Sequence, residues 1–151
     1  MLEFKFIMDK TGYEVAKVSR DKIFRDELAY QQTSDDADMN AYHFIGYDKA
    51  CQIGSCRLTV IDDEYYRVSY LGVIPEYRRQ YVGDLMMRAV SDKVLSLGGK
   101  YIVLECPVSV KGFFEFEDYE TFGDSFDVNG EEWVKMKKDI TIIRPCRGCK
   151  K

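Results

Sequence analysis

The chain has 151 residues, of which 46% are hydrophobic and 32% charged, and its formal net charge at pH 7 is −4. A chain of this length fits one domain, and the composition is typical of a globular protein rather than a disordered one. The acidic balance disfavours nonspecific nucleic-acid binding, which needs a basic field. We therefore expect one globular domain that folds alone or as a small oligomer such as a homodimer.

The N-terminus and the cysteines bear on the cellular compartment. Residues 1–10 alternate apolar and polar side chains without the basic start and apolar run of a secretory signal, and no segment approaches the ~18 apolar residues of a membrane span. A cytoplasmic protein with no membrane partner is expected. Five irregularly spaced cysteines favour reduced thiols over a disulfide framework. Cys146 and Cys149 have CxxC spacing but no second ligand pair, so no metal site is predicted.

The N-terminal half combines strand and helix patterns. Residues 2–8 have the alternation of a half-buried strand, and residues 13–28 have partly helical spacing after a break at Thr11 and Gly12. The acidic segment 31–40 has no periodicity, so we expect a surface loop there. Three β-rich runs then predict an antiparallel meander, and these are residues 42–48, 53–61 and 65–74.

The C-terminal half predicts one long helix, a buried strand and a hairpin. Apolar residues recur at three- and four-residue steps over 82–97, where a Gly-Gly pair ends the helix. Residues 101–104 form the short continuous apolar run of a central strand. A short helix at 109–118 precedes a hairpin with an Asn-Gly turn, whose strands are residues 122–128 and 131–138. The predicted fold class is therefore α/β (α+β), a mixed sheet flanked by helices.

Residues 71–83 run from a strand through Pro75 into the long helix. The first turn of a helix has free backbone N–H groups and the positive end of the helix dipole, which together favour a phosphate. Arg78 and Arg79 add positive charge at that end, a conflict that a bound anion would relieve. Gly83 allows a ligand to approach the backbone closely. The alternative is that two exposed arginines decorate an ordinary helix start.

This segment resembles motif A of the GNAT N-acetyltransferases, whose pattern is Arg or Gln, two residues, Gly, one residue, then Gly or Ala. Arg78, Tyr81 and Gly83 stand at those three positions. Residues 113–119 resemble the family's Phe-Tyr-Glu-x-x-Gly-Phe segment, and the expected final hairpin follows them. The order of the elements agrees as well.

A second resemblance lies near the N-terminus. Residues 23–27, followed by Asp36, Asp38 and His43, are similar to the Val-Phe-x-x-Glu, Asp-x-Asp and His signature of the small ElaA-like bacterial subgroup. Together the two resemblances cover roughly residues 20–140. They place a single GNAT domain at residues 1–140 and a tail at residues 141–151.

The resemblance implies a mostly antiparallel GNAT sheet that is splayed between its fourth and fifth strands, with acetyl-CoA as co-substrate in the gap. Backbone groups near Leu71 and Val73 would bind the pantetheine arm. Phe114 stands where many relatives carry a tyrosine that protonates the departing CoA thiolate. The Arg78 side chain would lie close to the diphosphate, and the residues implied to hold it through their backbone amides are Arg79, Gln80, Tyr81, Val82, Gly83 and Asp84.

Two positions depart from the family pattern. Tyr81 replaces the first motif glycine, and a residue with a Cβ resists the positive φ that glycine takes readily. Binding is expected to survive if that position is already helical. Phe114 has no proton to give, so another acid acts, water acts, or catalysis is weak.

A direct transfer needs a base within hydrogen-bond or one-water reach of the amine. Glu105, at the end of the fifth strand, is the first candidate, and a solvated strand-end carboxylate is the alternative. Glu27, at a helix end, is the second, against a salt-bridged helix residue. His43, the single histidine, is the third, although a lone histidine at a strand start is more often structural. Acidic residues of the loop would attract a cationic amine or simply solubilise the loop, and they are Asp35, Asp36 and Asp38.

These observations support an N-acyltransferase that moves an acetyl group from acetyl-CoA to a primary amine of a small molecule or peptide by direct attack. The alternative is a catalytically silent acyl-CoA-binding or regulatory module, motivated by Phe114 and Tyr81. A third hypothesis is a protein-interaction domain that binds no nucleotide. Acceptor pockets are built by variable loops on a common scaffold, so the sequence leaves the identity of the amine open.

Overall fold

The computed structural model describes residues 1–142. In this part of the chain, seven strands form one sheet in the order β1-β2-β3-β4-β5-β7-β6. The strands are β1 (Leu2–Met8), β2 (Tyr42–Asp48), β3 (Cys51–Val60), β4 (Tyr65–Val73), β5 (Tyr101–Pro107), β6 (Glu120–Val128) and β7 (Glu131–Asp139). The helices are α1 (Asp9–Arg20), a π-helix (Asp21–Glu27), α2 (Val82–Ser96) and α3 (Lys111–Phe116), with 3-10 turns at Asp36–Asn40, Pro75–Tyr77 and Val108–Val110.

The sheet opens between β4 and β5, which form its parallel pair. Their pairing extends only from Tyr65 opposite Tyr101 to Arg67 opposite Val103. Beyond that point the two strands separate, while β5 remains paired with β7 along its whole length. The predicted fold class and the predicted splay between the fourth and fifth strands are therefore confirmed.

The two faces of the sheet are covered differently. On one face, α2 packs its apolar stripe of Val82, Met86, Val90 and Val94 into the main hydrophobic core. On the other face, α1 covers β2 and β3 with small and polar side chains, and Ser19 bonds to Ser55 across a buried contact of 3.1 Å. The apolar periodicity that predicts α2 therefore reflects real burial, whereas α1 covers a more polar interior.

The first helix begins earlier than the sequence pattern predicts. Strand β1 ends at Met8 and α1 begins at Asp9, so Thr11 and Gly12 lie inside the helix. A Cβ at Gly12 would overlap the carbonyl oxygen of Ile7. This glycine permits close approach of the helix to the strand, and it does not separate the two elements as the sequence pattern predicted.

Two turns follow the predicted chemistry. Gly98, which follows α2, has a φ of 89°, the left-handed conformation in which glycine ends a helix. Asn129 and Gly130 join β6 to β7 with φ values of 51° and 86°, as the tightest hairpin turns require. These backbone conformations explain why both sequence signals were informative.

Residues 1–142 contain no helix that is long and apolar enough to cross a membrane. Within the same part of the chain, His, Cys, Asp and Glu side chains form no group of three or more that could hold a metal ion. Cys146 and Cys149 lie outside the described residues.

Candidate active site

The loop between β4 and α2 leaves the start of α2 open. Helix α2 begins at Val82, and no side chain caps its N-terminus. The N–H groups of the first turn are therefore available to an anion, and the helix dipole favours negative charge there. Arg79 and Tyr81 both have positive φ values, 60° and 64°. Left-handed residues in a turn can direct successive N–H groups into an anion-binding concavity.

Tyr81 adopts the backbone conformation of the glycine it replaces. Its φ and ψ are 64° and 14°, which are left-handed and not the helical values that the sequence argument required. A residue with a Cβ pays roughly 1–2 kcal/mol for this conformation. The side chain is 74% exposed, so no core contact compensates for the strain. The loop keeps the glycine-like path despite the substitution.

Gly83 is a packing position as well as a motif residue. A Cβ at this position would lie 3.2 Å from the ring of Phe113 in α3. The glycine thus lets α3 rest against the first turn of α2. A larger side chain would force these two helices apart at the mouth of the gap.

Arg78 is bound within the protein. Its guanidinium donates two hydrogen bonds to Glu27, at 2.7 and 2.6 Å, and its Nε donates to the Val73 carbonyl at 2.8 Å. The hydrogen bonds from Arg78 hold the pKa of Glu27 below its ordinary value. Arg78 therefore joins the loop to the end of β4 and to the π-helix. A carboxylate with a lowered pKa is also a weak general base.

A β-bulge lies on the side of the gap formed by β4. Ser55 of β3 is opposite Gly72 of β4, and Arg57 is opposite Ser69. The two pairs are two residues apart on β3 and three residues apart on β4, so β4 contains one extra residue. The extra residue allows Tyr70 to adopt a φ of 52°. Bulges of this kind occur next to active sites, where they redirect a side chain or end the pairing. The sequence pattern gave no signal for this bulge.

Five polar side chains form a network behind the bulge, and all of them except Asp35 are buried. Asp38 binds Arg20 at 2.8 Å and Arg57 at 3.3 Å, and Arg57 also binds Asp35 at 2.6 Å. His43 donates from Nε2 to the Asp38 carbonyl at 2.9 Å, while its Nδ1 accepts from Arg20 at 3.4 Å. Asp38 and His43 are both 0% exposed. The sequence expectation that Asp38 lies in a surface loop is therefore wrong, because two arginines draw it into the interior.

His43 is enclosed by this network. Burial, the largest cause, lowers the pKa of its imidazole. Both ring nitrogens already have partners, and the side chain does not reach solvent. This geometry suits a structural histidine that stays neutral. The guanidinium carbons of Arg20 and Arg57 also lie 4.6 and 5.0 Å from the centre of the Tyr70 ring, which links the network to the bulge.

Glu105 lies at the closed end of the gap. It follows Val103, the last β5 residue that pairs with β4, by two positions. Its side chain is exposed and opens on a cavity of about 190 Å³. The cavity is lined by Arg67, Val103, Leu104, Glu105, Phe122 and Lys135.

Phe114 belongs to the core, and a tyrosine packs beside it. The Phe114 ring contacts Phe113 edge-on at 5.0 Å and Tyr119 at 5.8 Å. Tyr119 is 3% exposed, and its hydroxyl has no hydrogen-bond partner within residues 1–142. Burial raises the pKa of this phenol, so it stays protonated. Tyr119 was not among the residues predicted from the sequence, although it stands at the final phenylalanine of the family segment that residues 113–119 resemble.

A second cavity of about 390 Å³ lies between α2 and the end of β7. Glu117 lines it, and burial, followed by a hydrogen bond to Asp84, raises the pKa of Glu117 to about 7. Asp84 itself binds Arg88 at 3.2 Å. Asp84 therefore faces a second carboxyl group in addition to its place in the motif.

The comparisons with known proteins agree with this geometry. The family model described as "Acetyltransferase (GNAT) domain" matches residues 9–140. The chain belongs to the GNAT acetyltransferase family. As a GNAT acetyltransferase it is an acyltransferase enzyme, and its co-substrate is an acyl-CoA.

Three solved structures resemble this GNAT acetyltransferase along almost its whole length. A protein of Lactobacillus plantarum, provisionally assigned as an N-acetyltransferase, has a TM-score of 0.84 and 18% identity, covering 92% of this chain and 98% of that one. Escherichia coli ElaA has a TM-score of 0.78 and 16% identity over 92% and 100%. An aminoglycoside 6'-N-acetyltransferase complexed with coenzyme A has a TM-score of 0.70 and 15% identity over 94% and 99%. At these identities the likeness establishes the fold, and it agrees with the resemblance to ElaA seen in the sequence.

Proposed function

We propose that this GNAT acetyltransferase moves an acetyl group from acetyl-CoA to a primary amine of a small molecule or peptide by direct attack. The observation that carries the proposal is the gap between β4 and β5. An uncapped helix start lies at its open end, and an exposed carboxylate, Glu105, lies at its closed end.

Acetyl-CoA would bind along β4. The residues proposed to hold the diphosphate through their backbone amides are Arg79, Gln80, Tyr81, Val82, Gly83 and Asp84, with the Arg78 side chain close by. The pantetheine arm would run past Leu71 and Val73 towards the closed end of the gap. Val73 to Arg67 spans six residues of strand, or about 20 Å. An arm that follows this path delivers its thioester to the region of Glu105.

Glu105 is the candidate base that the geometry favours. The Glu27 carboxylate is paired with Arg78 at 2.6 Å and has a lowered pKa, and His43 is enclosed and bonded at both nitrogens. Glu105 is exposed beside the gap and has room for an amine next to it. We infer that Glu105 accepts the amine proton, directly or through one water.

The transfer then balances as follows. The ammonium nitrogen gives one proton to Glu105, which passes it to solvent, and the resulting amine attacks the thioester carbonyl carbon to form the C–N bond. As the C–S bond breaks, the nitrogen releases its second proton to water and becomes the amide nitrogen. Coenzyme A leaves as a thiolate, which must gain one proton. Phe114 has none to give. Two candidate sources of this proton are the buried Tyr119 hydroxyl and water.

Calorimetric titration with acetyl-CoA, followed by thiol release with a panel of amines, tests the proposal. Binding with release supports it, binding without release from any amine favours the silent module, and no binding overturns both. Gly83→Trp is expected to weaken binding at least ten-fold because its side chain would collide with Phe113. Ser96→Trp, an exposed position at the far end of α2, is the matched control and should bind normally.

Three further expectations from the sequence belong to the same proposal. We propose a cytoplasmic enzyme, a single domain at residues 1–140 with a tail at 141–151, and a homodimer as the oligomer to be sought. Light scattering on the purified protein tests the oligomeric state, and limited proteolysis tests the boundary of the domain.

A further inference from the structure

The cavity beside Glu105 brings three charged side chains from three strands together. Along β5, Val103 and Glu105 alternate with the buried residues Ile102 and Leu104, so the first pair lies on the face opposite α2. Cross-strand pairing places Arg67 of β4 next to Val103. Two further pairings add the remaining wall, with Lys135 of β7 opposite Glu105 and Phe122 of β6 opposite Lys135.

These three charged side chains take no part in the ion pairs of the described residues. Among the described residues, Arg67, Glu105 and Lys135 form no ion pair within 4.0 Å and no side-chain hydrogen bond. Elsewhere in the same part of the chain, Arg20, Arg57 and other cations are paired with carboxylates. The cavity therefore presents two cations and one anion to whatever enters it.

Position connects the cavity to the reaction. Arg67 and Val103 form the last pair before β4 and β5 separate, so the cavity lies at the closed end of the gap. The thioester of an acyl-CoA bound along β4 would lie at this end of the gap. An acceptor in the cavity would have its amine next to both the thioester and Glu105.

We propose that the acceptor carries a carboxylate close to its amino group, as an α-amino acid does, an inference that rests on the proposed acyl transfer. Arg67 and Lys135 bind the carboxylate, and Glu105 binds the ammonium group and then removes its proton. Hydrogen bonds to charged groups contribute roughly 1.5–3 kcal/mol each. A plain amine would enter as a cation facing two other cations, so the site discriminates against it.

The size of the cavity agrees with a zwitterionic head group. Its volume of about 190 Å³ is below the ~300–1,000 Å³ of a pocket that encloses a whole drug-sized ligand. The amino acid head would fill the cavity, and its side chain would extend outside. The product would be an N-acetyl amino acid, formed by the same balanced step in which the C–N bond replaces the C–S bond.

Matched acceptors test this inference. Thiol release is measured at saturating acetyl-CoA with phenylalanine against phenylalaninamide and with alanine against alaninamide. The amides keep the amine and lose the carboxylate charge, so we expect kcat/KM to be at least ten-fold higher for the acids. Arg67→Met and Lys135→Met should each raise the KM for the amino acid about ten-fold, and the KM for the amide should stay the same or fall because one repelling cation is gone. Lys5→Met, at an exposed position of β1 on the far edge of the sheet, is the control that should change neither.

The outcomes separate this inference from the proposed function. Equal use of acids and amides, or an equal effect of Arg67→Met on both, would overturn the inference and leave acyl transfer standing. If no amine is acetylated, the proposed function fails, and calorimetry on the protein saturated with coenzyme A then decides. Amino acid binding at least ten-fold tighter than amide binding would uphold the charged cavity as an amino acid site, and equal or absent binding would refute it.

Discussion

Arg78 and Glu27 form a two-point ion pair, with nitrogen–oxygen distances of 2.7 and 2.6 Å, across 51 positions of the sequence. The same arginine donates to the Val73 carbonyl at 2.8 Å. One side chain thus connects the motif loop, the end of β4 and the end of the π-helix. Its main effect is to fix the path of the loop whose backbone N–H groups face the gap.

Glu27→Gln is expected to weaken acetyl-CoA binding by a few-fold, because Arg78 loses its charged partner and the loop loosens. The pair is partly exposed, so its contribution to stability is at most about 1 kcal/mol. The lowered pKa means that this contribution is present above the ordinary pKa of a glutamate and is lost as pH falls through the folded value. Calorimetry, thermal unfolding and the pH–rate profile measure these effects. A hundred-fold loss of kcat with normal binding would instead identify Glu27 as the base.

Glu105→Gln is expected to lower kcat by about 10²-fold or more, because an amide cannot accept the amine proton. The dissociation constant for acetyl-CoA should not change, since Glu105 lies at the far end of the gap from the start of α2. Initial rates and calorimetry measure the two quantities separately. Glu120→Gln, an exposed carboxylate on β6, is the control. Retention of kcat within three-fold would remove Glu105 from the mechanism.

Tyr119→Phe separates the two sources of the thiolate proton. A buried hydroxyl without a partner costs roughly 1–3 kcal/mol, so the variant should be at least as stable as the natural chain. If Tyr119 is the acid, kcat falls at least ten-fold with unchanged acetyl-CoA affinity, and this is the result we expect. Adding Phe114→Tyr, which restores a hydroxyl at the position where relatives carry one, should recover part of the rate. An unaffected kcat in Tyr119→Phe would assign the proton to water.

Asp38→Asn is expected to destabilise the fold by about 3–5 kcal/mol, because it leaves two arginines with too little buried negative charge. Arg20 is only 1% exposed and cannot regain water without unfolding the region. Denaturant titration measures the change. Asp36→Asn removes an exposed carboxylate two residues away and should stay within about 0.5 kcal/mol. A change below 1 kcal/mol for Asp38→Asn would mean that solvent reaches this network.

Glu117→Gln should change how stability depends on pH. The pKa of Glu117 is raised to about 7 from an ordinary 4.5, so the folded state binds more protons between those values. This group therefore makes the natural chain less stable as pH rises from about 4.5 to about 7. The variant should gain stability relative to the natural chain over that window and hold the gain at pH 8. His43 contributes with the opposite sign, because its lowered pKa reduces stability as pH falls below 6.5. Both chains contain His43, so its contribution cancels when the unfolding midpoint of the natural chain is subtracted from that of the variant at each pH. If the stability difference between variant and natural chain does not vary with pH, Glu117 is solvated and its pKa is not raised.

The parts of the fold that follow from sequence are those set by local chemistry. The apolar stripe of α2, the Gly98 cap and the Asn-Gly hairpin each depend on residues within a few positions of one another, and the structure contains all three. The splay of the sheet was inferred from the family resemblance, since no local pattern marks where two strands stop pairing.

The site was less predictable because its contacts join distant segments. Asp38 in an acidic stretch is typical of a solvated loop, and only the arrival of Arg20 and Arg57 explains its burial. Tyr70 and Tyr81 take left-handed backbone conformations that favour glycine, so propensity argues against both. The features that shape the gap depend on long-range partners and on strained backbone conformations, so the local sequence did not predict them.

Where β4 and β5 part beyond Arg67 and Val103, each strand has an edge with no neighbouring strand inside the sheet. The protein thus gives up ladder hydrogen bonds at its centre, where most sheets are strongest. A bound extended ligand can restore them and act as a temporary eighth strand. Substitutions that paired the two edges with each other would raise the stability of the fold and close the gap in which the reaction is proposed to occur. The unpaired edges therefore lower stability, and activity depends on their staying unpaired.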